Sequence, residues 1–434
     1  MVLPAPGSRL RTLSSAPVDP HGEYVLYWMH AARRAGSSFA LDHAIVLAQE
    51  LYKPVLVLEA LDLQAPFASR RTHAFLTQGM ESNRRAFGRA GVAYHPYVER
   101  RPGQARGLVR SFAARACAVL TDRSPFPFLR ARVERLASLP VRTVEVDGWG
   151  LLPVSTLERP HKVAWGFRRF LQRELPRHPR RPHATPLRGL KLPPVRVPEE
   201  LLRRYPAWSG GLEGLPVDQA VRAVALRGGE LAGRARLRLW LEEGLPRYEA
   251  DRAHPDRSAG SGLSPWLHFG HLSAFEVVDA VKARGAHEGF LDQLVTWREL
   301  GAALVETTSA PWSYGSLPDW ARRTLDEHRH DPREALYSLQ QLEQARTHDP
   351  LWNAAQRQLL EEGVIHNSLR MLWGKRVIAW SPSPEEAWER LFHLNDTGPS
   401  TVATPTPSRA SRGASVASTG PGDPKVRSSA RCAP

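Results

Sequence analysis

Short apolar runs punctuate the first third of the chain at 24–29, 54–58, 116–120 and 142–146. The first three are nearly continuous in apolar residues, the pattern of strands covered on both faces; the fourth alternates with polar residues like an edge strand. Between them, 39–51 and 70–88 carry apolar residues at helical spacing. This alternation predicts an α/β N-terminal domain with an open parallel sheet. Neither GxGxxG nor GxxxxGK[ST] occurs, so no dinucleotide fingerprint or phosphate loop accompanies the sheet.

From 174 to 198 the pattern gives way to ELPRHPRRPHATPLRGLKLPPVRVP, where repeated proline removes backbone donors and predicts a linker. Helical spacing dominates beyond it, at 218–226, 231–243, 274–283 and 349–363. The expected organisation is an α/β domain over 1–173, a linker over 174–198 and a mostly α-helical domain over 199–396. The last segment, 397–434, is rich in Ser, Thr, Pro, Gly and Ala and is expected to be disordered, because it cannot bury enough apolar surface to offset its ordering entropy.

Lys and Arg total 59 against 44 Asp and Glu, a net charge of +15. Such a balance suits a polyanionic partner, and equally a basic surface without a role. The only cysteines are Cys117 and Cys432, and residues 1–11 show no charged-then-apolar leader. A disulfide framework and secretion are therefore not indicated, and the expected compartment is the reducing cytoplasm. No apolar run approaches the roughly 20 residues a membrane helix requires.

Three stretches could carry chemistry. GSGLSPWLHFGHLSA at 260–274 sets small and hydroxyl residues before a helix opening at Pro265, where amides could hold a phosphate; an ordinary N-cap loop explains it as well. FLDQLVTWREL at 290–300 reads as a helix with Phe290, Leu294 and Trp297 on one face and Arg298 beside Glu299, which core packing and a solvated ion pair also explain. The third, THDPLWNAAQRQLLEEGVIHNSLRMLWGKRVIAW at 347–380, brings His366, Asn367 and Arg370 onto neighbouring turns. Trp352, Trp373 and Trp380 are separated there by whole heptads, so they fall near one stripe, either as core or as aromatic chemistry.

The order of these three stretches resembles the class II DNA photolyases, most specifically in THDPLWNAAQ and LRMLWGK. VLYWM, VLTDRSPF and VEVDGWGLLPV resemble that family's first domain, whereas its charged RDxRxxDN pattern is replaced by AARRAGSSFALDHA. The resemblance implies an all-α FAD-binding domain after the α/β domain, and light-driven repair of cyclobutane pyrimidine dimers by a monomer acting on damaged DNA. It implies that Tyr248, Ser261, Gly262, Leu263 and Ser264 hold the phosphates and ribityl chain of FAD. Arg298, Glu299 and Arg370 are similar to residues lining that pocket, with His366 and Asn367 near the flavin or the lesion.

Trp373, Trp352 and Trp380 match the family's electron-transfer chain from the flavin outward, in which the resemblance also gives Tyr337 a part. The family's EEL is Asp292-Gln293-Leu294 here, so Gln293 stands where a Glu is thought to bond the dimer. Gln293 can donate and accept hydrogen bonds but supplies neither a carboxylate nor a proton. The family's paired Arg before Glu is Trp297-Arg298 here. A second, antenna chromophore in the first domain is compatible with the resemblance. The competing readings are a cryptochrome-like flavin photoreceptor and a flavin-poor, DNA-binding remnant of a photolyase.

The tail lacks the family's LDGRDPNGY and later GxHDxxWxERxIFGK patterns. If each new codon joins the third base of one codon to the first two of the next, 400–407 permits D-G-R-D-P-N-S, 410–413 permits I-A-W and 417–419 permits L-H. Residues 424–430 then permit E-G-P-F-F-G, followed by K, V and R, although the Asp expected after that His is not permitted. The tail is therefore expected to be the family's C-terminus read in the wrong frame after Asp396, which would weaken FAD retention and repair.

Overall fold

The structure is a computed structural model and describes residues 2–396 apart from 66, 67, 162 and 312. The expectations of disorder and of a shifted frame concern 397–434 and lie outside the described residues.

Residues 10–146 build one six-stranded sheet from β1 (Leu10–Ser14), β2 (Tyr24–Met29), β3 (Val55–Leu61), β4 (Ala93–Val98), β5 (Ala116–Asp122) and β6 (Thr143–Val146). The strand order is β1-β6-β5-β2-β3-β4, parallel throughout except for β1, which runs antiparallel to β6. Every residue of central β2 is buried, as a strand covered on both faces requires. Val25, Tyr27 and Met29 enter one core, while Tyr24, Leu26 and Trp28 enter the other.

The fourth apolar run is not an edge, because β1 covers it. Its polar position Glu145 is buried and held by Arg11 at 2.7 Å and Arg123 at 3.1 Å, so the alternation reflects paired interior charge rather than solvent. The real edges are β1 and β4, and β4 carries Pro96 where a lost donor is tolerated.

The helices at Phe39–Glu50 and Arg70–Arg89 match their expected spans, and each opens on a serine side-chain cap, Ser38 and Ser69. After the helix Ala164–Glu174 the proline-rich stretch has no regular structure beyond one short turn, yet it is anchored. His183 donates its backbone N–H to Asp42 at 2.8 Å, and burial lifts that carboxyl to about 7.

The short helix Glu199–Arg204, with Tyr205, Trp208 and Leu215 after it, packs on the first domain. The helix expected at 218–226 does not form. Its backbone is spent on the first turn of the Arg70–Arg89 helix, with Arg70 N–H bonding Asp218 O at 2.9 Å and Arg71 N–H bonding Val221 O at 3.1 Å. From Glu230 onward the described chain is helical and loop, as expected.

The two halves share a core. Phe39 meets Phe275 edge-on at 5.6 Å, and Trp240, Tyr248, Leu263 and Phe290 continue the cluster that begins on β2. The helices from Pro350 to Asp396 instead centre on a separate cluster around Trp352, Trp373 and Trp380. The boundary between this cluster and the main core is a seam within the helical half. Among the described residues no helix is long and apolar enough to cross a membrane.

Candidate functional site

The tryptophans lie on a pair of capped helices. Pro350–Glu362 opens on Asp349, which accepts from Trp352 N–H at 2.9 Å, and ends on Gly363; Asn367–Ala379 opens on His366. Trp352 and Trp373 stack at 6.0 Å with planes 2° apart, Trp380 meets Trp352 at 5.5 Å, and Tyr337 meets Trp380 at 5.2 Å. Trp352 Nε1 donates to Trp373 O at 3.1 Å and Trp373 Nε1 to Gln356 Oε1 at 2.9 Å, fixing both rings. All three indoles are buried, so the spacing in sequence becomes one unbroken path of oxidisable rings ending at half-buried Tyr337.

Of the other candidates, Tyr248 and the 261–264 loop belong to the main-core side of the seam, and His366, Asn367 and Arg370 to the helix that carries Trp373. Gly262 has φ +64, a left-handed turn suited to glycine. Beside it Arg236 donates to Ser261 O at 2.8 Å and Gly260 O at 3.3 Å, while Leu263 is fully buried. The helix after this loop, Ser264–His268, is a single short turn, so the positive charge at the loop comes from the Arg236 guanidinium rather than from a long helix dipole. Tyr248 is buried edge-on to Trp240 at 6.0 Å and Phe290 at 5.3 Å, and burial pushes its phenol up.

Across the seam Ser368 Oγ donates to Ala253 O at 3.2 Å, which brings the turn carrying His366, Asn367 and Arg370 up to the Tyr248 segment. Arg370 donates to buried Asn395 at 3.3 Å, and burial lowers it to about 10, so it stays cationic at neutral pH. A cavity of about 600 Å³ is lined by Arg71, the 220–223 segment, Gln356, Leu360 and Leu394, and by none of the sequence-predicted site residues.

Gln293 is exposed and sits in a π-helical stretch, Asp292–Trp297. The extra residue per turn changes the faces expected for an α-helix. Phe290 and Leu294 enter the main core, but Trp297 turns to the Leu152 and Phe167 cluster. Asp292 is clamped by both arms of Arg168, at 2.7 and 2.8 Å.

Arg298 and Glu299 engage the first domain. Arg298 bonds Glu299 at 2.9 Å and Trp149 O at 2.8 Å with its guanidinium 3.6 Å from the Trp149 ring centroid; Glu299 accepts from Leu152 N–H at 3.2 Å. Burial lowers Arg298 to about 10 and lifts the Glu299 carboxyl, against the pull of their mutual attraction. This pair is buried and joins the two domains, unlike the solvated pair that the sequence also allowed.

No family model matches the chain. The deoxyribodipyrimidine photo-lyase of Methanothermobacter thermautotrophicus is 32% identical over 392 residues, covering 89% of this chain and 85% of that protein. That of Oryza sativa is 32% identical over 415 residues, covering 90% and 79%. This chain belongs to the photolyase family. The photo-lyase of Potorous tridactylus is 30% identical over 403 residues, covering 89% and 73%. The fold agrees with that of a class III photolyase from Agrobacterium tumefaciens, 20% identical with a TM-score of 0.69, covering 91% of this chain and 80% of that one.

Within this photolyase fold, sequence reasoning missed Arg236, Gln356 and Asn395. Gln356 lies one turn after Trp352 on the same helix, a spacing that signals a shared face. Asn395 closes the final helix, and Arg236 is one of several arginines at 234–238; only the fold singles either out.

Proposed function

We propose that this chain splits cyclobutane pyrimidine dimers in DNA under light, with a class II type of site and non-covalent FAD in the seam between the two helical bodies. The observation that carries the reading is the ring path Trp373, Trp352, Trp380, Tyr337, which runs from the Arg370 turn to the surface. The donor set suits FAD. Arg236, the Ser261 and Ser264 hydroxyls and the left-handed turn at Gly262 offer a cationic, hydroxyl-rich seat for a diphosphate, and Arg370 with Asn395 offers polar contacts to a flavin ring.

When bound, reduced FAD supplies the light-excitable electron donor. The protein's share is positioning and shielding. Tyr248, Leu263 and Phe290 form an apolar wall that excludes water, and Arg370, held by Asn395, supplies fixed positive charge. Gln293, exposed on its π-helical turn and steadied through the Arg168–Asp292 clamp, offers an amide to a base extruded from the duplex. Sequence-independent affinity comes from Lys and Arg contacts to phosphate, in keeping with the net charge of +15. Damaged DNA is the partner, the monomer the working unit and the cytoplasm the compartment in this reading.

The test is FAD binding followed by flavin fluorescence and absorption, in this chain and in Arg370→Leu. Saturable one-to-one binding that weakens at least about ten-fold in the variant, as expected for losing a charged hydrogen bond, supports it. Well-folded protein that takes up no FAD in either reading frame of the tail overturns it.

A further inference from the structure

The ring path does not stop at a bare phenol. Tyr337 Oη lies 2.5 Å from His348 Nδ1 and also accepts from His348 backbone N–H at 3.0 Å, while the Trp380 ring touches both, at 5.2 Å from Tyr337 and 5.4 Å from His348. His348 Nε2 faces Glu334 Oε1 at 3.6 Å. That carboxylate favours the tautomer with hydrogen on Nε2, which leaves Nδ1 as an acceptor and makes the phenol the donor.

We propose that His348 takes the Tyr337 proton as Tyr337 gives up an electron, which makes Tyr337 the terminal donor of the chain. A phenol that loses an electron while keeping its proton becomes a very strong acid, so the oxidation needs a base in contact. The step balances as follows. One electron passes from the Tyr337 phenol to the oxidised, positively charged Trp380 ring, restoring neutral indole. One proton moves from Tyr337 Oη to His348 Nδ1. The products are a neutral phenoxyl radical and an imidazolium, so the single positive charge moves from Trp380 to His348.

The surrounding charges favour that direction. Arg376 lies 5.7 Å from the Trp380 ring centroid and is within 3.7 Å of Glu334 and 3.4 Å of Asp349. Its guanidinium is attracted to a neutral indole face but repels a positive charge held there. The imidazolium instead forms opposite Glu334. Arg390 fixes the segment by donating to Tyr337 O at 2.8 Å. His348 is exposed, so the proton can pass on to water.

The first oxidation of the path is assigned to light-excited oxidised flavin, and to that extent the inference rests on the proposed function. Its test does not. The purified chain is oxidised by a soluble ruthenium photosensitiser with a sacrificial electron acceptor, and radicals are read by electron paramagnetic resonance. Tyr337→Phe identifies the Tyr337 signal, and circular dichroism checks that each variant folds. His348→Phe keeps a ring against Trp380 but removes the base; His348→Gln is the second variant.

The expected result is a Tyr337 radical that forms more slowly in deuterated water, falls at least about ten-fold in both His348 variants with the signal moving to tryptophan, and is partly restored by added imidazole. An equal Tyr337 yield and an equal isotope effect without His348, or no signal dependent on Tyr337, would overturn it. Failure to bind FAD would sink the proposed function while leaving this result readable.

Discussion

Trp373 carries the most weight of any single side chain, since its ring stacks on Trp352 and its Nε1 is held by Gln356. In Trp373→Phe most of the packing volume stays, but buried Gln356 Oε1 loses its donor at a cost of about 1–3 kcal/mol, so circular dichroism checks that the variant folds. Photoreduction of oxidised flavin is expected to slow by at least about ten-fold, while repair by flavin already reduced changes little; transient absorption beside a repair assay separates the two. Gln293→Glu is expected to raise repair per photon without altering flavin binding, because it restores the carboxyl group that the resemblance places against the dimer at this exposed position; an unchanged quantum yield counts against a role at the dimer. Much of this was legible in the residues. The heptad spacing marked the tryptophans, but it could not show that Trp352 meets the other two from a separate helix. Arg298 and Glu299 were visible as a pair, yet their engagement with Trp149 and Leu152 depends on folding across about 150 residues of chain, a contact local pattern does not encode.

At the scale of elements, the capped helices and the buried strands were readable because cap residue, period and burial all agreed. The 218–226 segment had helical spacing but lost its backbone donors and acceptors to the neighbouring 68–71 segment, so tertiary bonding overrode the period. The π-helical stretch Asp292–Trp297 misled in another way, by adding a residue that turns Trp297 to a different cluster. The contact between the halves is equally specific. Gly270, at φ +75, would place a Cβ 1.7 Å from Ala31 O. Gly270→Ala is therefore expected to lower stability by at least about 2 kcal/mol through strain and collision together, measured by denaturant unfolding. A change near zero would mean that the two halves are not pressed together there.

At the scale of the molecule, burial sets the pH response. His30 and His95 are lowered to about 4 and His271 to about 3, each chiefly by desolvation. In the unfolded chain they bind protons near the usual 6.5, so their contribution to stability is complete above that pH and is lost as pH falls toward about 4. Asp42, raised to about 7, acts in the opposite sense, favouring the fold as pH falls, and so do Glu145, Asp147, Glu230 and Glu299, whose carboxyls burial also raises. Relative to the parent chain, His30→Phe is therefore expected to gain thermal stability as pH falls from 6.5 to 4, because it removes one group that must take up a proton on unfolding. Restoring the frame after Asp396 should tighten FAD retention by adding the expected DGRDPN segment; nucleotide sequence around that codon that cannot encode DGRDPN would end the frame reading. The central claim is tested most directly by counting cyclobutane dimers in DNA incubated with this chain and with its frame-restored form, each supplied with reduced FAD, under blue light and in darkness. The expected result is dimer loss only under light, stronger with the restored frame; equal loss in darkness, or no loss under light with either form, would contradict it.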